Sequence, residues 1–231
     1  IEGRGQKWWG VPGLGYLKRE ENRPRLFNIQ GEDLLFENIY MHESPYWTHS
    51  SSGSHIEIRN CHINNRRTNA DGHGTIDMTG LSLSLSLSLS LSLSLFSQQY
   101  RMQLTNAEGP GATKMTAFNT DGFDVSGDHV HIHDCSIWNQ DDCIAVKDRS
   151  RCDLSENSVS ESQCCELTVF LRWGLSDMLF ERIEASGVGL TIGSIGGSTN
   201  NNITFRDCHM HKTFKGIYMK FRGNGGVVSN V

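Results

Sequence analysis

The chain has 231 residues and a formal net charge of −5, enough length to bury a sizeable core and too little positive charge for a nucleic-acid-binding surface. No unbroken apolar run reaches the ~18 residues of a membrane span, and 20% charged residues is too few for a disordered chain. Gly is abundant at 24 and Pro scarce at 4, which fits a fold of many tight turns and no proline-rich linker.

In chain order, the first predicted element is Leu34-Leu35-Phe36-Glu37-Asn38-Ile39, where apolar residues alternate before an Asn. The pattern returns as Ile56-Glu57-Ile58-Arg59-Asn60-Cys61. It recurs as Val130-His131-Ile132-His133-Asp134-Cys135, Met178-Leu179-Phe180-Glu181-Arg182-Ile183 and Ile203-Thr204-Phe205-Arg206-Asp207-Cys208. A period of two predicts five short, half-buried strands. Asn38 and Asn60 are 22 residues apart, and Arg182 and Asp207 are 25 apart. One strand per unit of that length is the signature of a solenoid, and parallel strands stacked coil on coil make an all-β β-helix. His129, His131 and His133 alternate with Val130 and Ile132, so they face outward on a solvated side rather than forming a zinc site.

Two intervals between copies are too long for one coil. The first holds seven consecutive Leu-Ser pairs from Leu81 to Ser94. A CT dinucleotide repeat translates as Leu-Ser, so residues 66–112 are read as a low-complexity insertion from a translated intron or slipped gene model. Residues 149–174 are read as a second insertion. The chain is expected to be a single β-helix domain over 1–231, incomplete at both ends. Its seven cysteines leave at least one thiol without an internal partner.

Chemistry concentrates in Asn119-Thr120-Asp121-Gly122-Phe123-Asp124 and Gln140-Asp141-Asp142-Cys143. Asp121 lies 20 residues before Asp141, close to one coil, so stacking brings these carboxylates together. Carboxylates that close cannot all ionise easily, and one holds its proton to higher pH. A protonated carboxyl beside ionised ones is the equipment for acid–base cleavage of a glycosidic bond. Surface turns use the same residue types, so the motif by itself also allows a structural role.

These segments, with Ser44-Pro45-Tyr46-Trp47-Thr48, Gly187-Val188-Gly189-Leu190-Thr191-Ile192-Gly193 and Gly3-Arg4-Gly5-Gln6-Lys7-Trp8-Trp9, resemble the polygalacturonases of glycoside hydrolase family 28. The resemblance implies a right-handed parallel β-helix and a secreted, extracellular hydrolase. It implies cleavage of α-1,4-linked galacturonan in pectin with inversion, without metal or other cofactor. Asp141 matches the general acid, and Asp121 and Asp142 the pair that activates water. Lys220 matches a substrate-binding lysine, and Tyr218 is expected to stack on a sugar face. The expected partner is a pectic polysaccharide alone, with no nucleic acid and no membrane, and the chain is expected to act as a monomer. Trp8 and Trp9 are read as cleft-lining residues or a terminal core anchor.

The sequence departs from the family pattern at three places. Val188 stands for a His, Tyr218 for an Arg, and Glu184 for a Cys, which leaves Cys143 free. These departures are equally consistent with an altered pectic substrate and with weakened catalysis. Two other readings remain: a polysaccharide lyase on the same architecture, and a non-catalytic, glycan-binding β-helix.

Overall fold

The computed structural model describes residues 1–9, 23–65, 117, 119–148, 176–213, 215–223 and 225–231. Both expected insertions, 66–112 and 149–174, lie outside the described residues. Among the described residues, a 3-10 turn at Gly5–Lys7 precedes thirteen strands. They are β1 (Phe27–Glu37), β2 (Tyr40–His42), β3 (His49–Arg59), β4 (His62–Asn64), β5 (Phe123–Trp138), β6 (Asp142–Val146) and β7 (Met178–Gly187). The rest are β8 (Gly189–Ile195), β9 (Thr199–Asn201), β10 (Ile203–Arg206), β11 (His209–Thr213), β12 (Ile217–Phe221) and β13 (Val227–Ser229).

Every strand pairing among the described residues is parallel. The architecture is a right-handed parallel β-helix. The five predicted strand copies lie on one another in register: Leu34 pairs with Ile56, Ile56 with Val130, Val130 with Met178, and Met178 with Ile203. β3 and β5 are direct neighbours although 63 residues lie between Arg59 and Phe123 in the sequence.

The recurring Asn/Asp/Arg of each copy has a backbone cause. Asn38, Asn60, Asp134, Arg182 and Asp207 all have φ between 51° and 58°, the left-handed conformation that turns each coil. Asn and Asp tolerate it best because their short polar side chains bond locally. A second stack uses glycine for close approach. Gly31, Gly53 and Gly127 share a register row, and a Cβ on Gly53 would lie 1.7 Å from the Gly31 carbonyl oxygen.

Apolar side chains fill the interior as rows across coils. Phe123, Ile144 and Leu190 form one such row, and Val125, Val146 and Ile192 the next; all six are fully buried. On the last coil their counterparts Ile217 and Met219 are 49% and 47% exposed, since no described strand covers them. Trp9 is 2% exposed and donates its indole N–H to the Ser44 carbonyl, so of the two readings it is a core anchor. The three alternating histidines face outward as expected. His131 and His133 meet Glu181 at 3.1 Å and Glu57 at 3.3 Å, in an ion-pair ladder with Arg59, Arg182 and Arg206.

Candidate active site

The site forms where each coil turns into one sheet. Backbone bonds tie these corners into a column: Leu26 to Trp47, Thr48 to Asp121, Gly122 to Asp142, Val188 to Asp141 and Lys215 to Val188. Coil spacing therefore brings Asp121 and the Asp141-Asp142 pair onto adjacent levels, as the sequence spacing predicts. One oxygen from each of Asp121, Asp141 and Asp142 lies within 4.8 Å of the others. Asp121 and Asp142 are almost wholly buried, while Asp141 is half-buried.

Each carboxylate has a different setting. Asp141 accepts the backbone N–H of Asn119 and of Asp142, both at 2.9 Å. Burial and then the charge of Asp142 raise its pKa, while those two N–H bonds pull the other way. Asp121 has one oxygen 3.7 Å from the Lys147 ammonium and the other, Oδ1, without a hydrogen-bond partner. Burial, then Asp124 and Asp141, push its pKa well above the usual carboxylate range. Asp142 accepts the Lys220 ammonium at 2.8 Å on Oδ2 and the Tyr218 hydroxyl on Oδ1.

Tyr218 and Lys220, read from sequence as sugar contacts, thus place their polar atoms on Asp142. Their coil stacks on the one carrying Thr191, which in turn stacks on Ala145 of β6. Val188 lies half-buried beside Asp141, its N–H bonded to the Asp141 carbonyl at 2.9 Å. Gly187 beside it has φ +72°, and a Cβ there would meet Asn139 Oδ1 at 2.2 Å. Cys143 is a free, buried thiol. Its Sγ contacts Asn139 Oδ1 at 3.3 Å, and burial raises its pKa.

Sequence reasoning passed over two members of the cluster. Asp124 is 1% exposed and pairs with Lys147 at 2.8 Å; burial, offset by that lysine, raises its pKa to about 6. Lys147 also sits 4.8 Å from the Trp47 ring centroid. The available signal was alternation: Ile144 and Val146 point inward, which turns Lys147 outward beside the carboxylates. The grouped carboxylates meet the distance requirement for a cation site, but acidic clusters satisfy it commonly without holding an ion.

A parallel β-helix carrying clustered carboxylates at its corner column fits a polysaccharide-processing enzyme. The chain belongs to glycosyl hydrolases family 28, which it matches over residues 1–231. It is therefore related to pectin-degrading glycosidases. It is 32% identical over 126 residues to a probable endopolygalacturonase C of Aspergillus niger, covering 52% of this chain and 26% of that protein. A probable rhamnogalacturonase E of Aspergillus flavus is 32% identical over 112 residues, covering 48% of this chain and 20% of that protein. Among solved structures, endo-xylogalacturonan hydrolase from Aspergillus tubingensis matches with a TM-score of 0.60 at 18% identity, over 100% of this chain and 46% of that one. Endopolygalacturonase I from Stereum purpureum, complexed with two galacturonate, matches with a TM-score of 0.52 at 19% identity, over 97% and 47%. The chain thus spans about half of these solved relatives, and its alignments cover about a quarter of the curated ones.

Proposed function

We propose that the protein is an extracellular glycosidase that cleaves α-1,4-linked galacturonan in pectin with inversion. The observation that carries this reading is the convergence of Asp121, Asp141 and Asp142 to within 4.8 Å, on adjacent coils. Asp141 acts as the general acid. It is the least buried of the three, so a leaving oxygen can reach it, and its raised pKa favours the protonated form. Asp121 and Asp142 hold the attacking water between them. Two oxygens within 4.8 Å can share one water, because each O–H···O bond spans about 2.7–2.8 Å. Both oxygens of Asp142 accept side-chain hydrogen bonds, from Tyr218 and Lys220, which fix the orientation of its carboxylate.

The cluster is tighter than the roughly 6.5–9.5 Å carboxyl separation usual for inverting enzymes. Inversion rests on family membership, and proton NMR of the first anomer released tests it directly. A second assignment exchanges the acid: Asp121 is more deeply buried, and its pKa is pushed well up. Asp141→Asn and Asp121→Asn, assayed for reducing ends on polygalacturonate, separate the two. If Asp141 is the acid, Asp141→Asn abolishes the basic limb of the pH–rate profile and most of the rate. Full activity in Asp141→Asn would remove it from the acid role. Products absorbing in the ultraviolet would replace hydrolysis by elimination, the lyase reading. Pectin binding without any product would leave a glycan-binding β-helix.

A further inference from the structure

We propose that Arg25, laid on the Trp47 ring, is a distant subsite for a uronate carboxylate of the polysaccharide. The proposal rests on the pectic reading of the carboxylate cluster and extends it along the helix axis. Leu26 donates to Trp47, and Thr48 donates to Asp121, so Arg25, Trp47 and Asp121 occupy three successive levels of the corner column. Two coil steps place Arg25 roughly 10 Å along the axis from Asp121. A polymer laid along the corner column from the cluster would reach Arg25.

The local chemistry suits a sugar acid. The Arg25 guanidinium carbon is 4.4 Å from the Trp47 ring centroid, and Tyr46 stacks on Trp47 at 5.3 Å with a 10° interplanar angle. Arg25 is exposed and, among the described residues, has no carboxylate partner. A guanidinium whose carbon lies over an aromatic ring still has N–H donors along its edge for another partner. That edge matches a carboxylate bidentately, with little rotamer freedom left to lose. Neighbouring cations are already engaged. Arg23 is buried and bonds Pro45 and Asn119, while Lys147 pairs with Asp124. At position 218 a tyrosine stands, bonded to Asp142, and Lys220 is bonded to the same carboxylate. The uronate-binding charge is thereby displaced from the cleavage point to Arg25.

The test uses the full chain with Arg25→Gln and Arg25→Lys. Steady-state kinetics on de-esterified polygalacturonate are compared with those on highly methyl-esterified pectin, and calorimetry follows binding of long oligogalacturonates. Arg25→Gln should raise KM on the acidic polymer about tenfold, the scale of one lost charge-assisted contact, with kcat within about twofold. On the methyl-esterified polymer KM should stay unchanged, and raising the salt should shrink the difference. Arg25→Lys should recover only part of the affinity, because an ammonium lacks the fork. Equal KM values for Arg25→Gln and the parent on the acidic polymer would overturn the proposal, as would an equal loss on the esterified one. If the parent binds oligogalacturonate through Arg25 yet releases no product, the hydrolase reading fails and the subsite stands. Hydrolysis with Arg25-independent binding gives the reverse.

Discussion

Replacing Tyr218 with Phe removes a single oxygen from the proposed site and tests whether Tyr218 serves Asp142 or the sugar. Asp142 is 1% exposed, so water does not readily replace the lost donor. Among the described residues, the hydroxyl is one of two side-chain donors to Asp142, the other being Lys220 at 2.8 Å. Phe keeps the ring, and with it the Lys215 ammonium 4.0 Å from the centroid, so the coil should fold as before. A hydrogen bond to a charged group contributes about 1.5–3 kcal/mol. Were that expressed fully in the transition state, kcat would fall roughly 10- to 150-fold. KM should change less than about twofold, because the contact is to protein and not to substrate. Initial rates of reducing-end release across a range of substrate concentrations would measure both. A rise in KM with kcat unchanged would refute the reasoning and return Tyr218 to the sugar face.

Three further outcomes follow from the packing and the ion pairs. Asp124, whose pKa rises from 3.8 to about 6 through burial, binds its proton more tightly folded than unfolded. Stability should therefore fall as pH rises through that window, by about 3 kcal/mol for this group alone; Asp124→Asn should flatten that part of the Tm-against-pH curve, and an unchanged slope would contradict it. Glu181 is held down to about 2, first by Arg206 and with help from Arg182 and His131. Its contribution is present above pH ~4.5 and lost towards pH 2, so Glu181→Gln should lower Tm at pH 6 more than at pH 2.5. Gly53→Ala would drive a Cβ to 1.7 Å from the Gly31 carbonyl oxygen at a φ of +144°. The expected cost exceeds about 4 kcal/mol, read as insoluble chain or a much lowered Tm; a parent-like Tm would mean that the glycine stack is not needed.

Much of the scaffold was legible in the sequence. The alternation in Ile56-Glu57-Ile58 and Val130-His131-Ile132 fixes which side chains face the core, because successive residues of a strand point to opposite faces. The Asn or Asp after it marks the left-handed corner, since few other residues adopt positive φ cheaply. The 20-residue interval from Asp121 to Asp141 then implies carboxylates on neighbouring coils. The partners of those carboxylates were not legible. Tyr218 and Lys220 reach Asp142 across 76 and 78 residues, and Lys147 joins Asp121 and Asp124 to Trp47 from a later coil. Period and alternation say which face a side chain takes and how far apart coils lie. Only the stacked register decides which side chains meet across coils, because a one-residue slip would send Tyr218 into the core and leave Asp142 without its phenol.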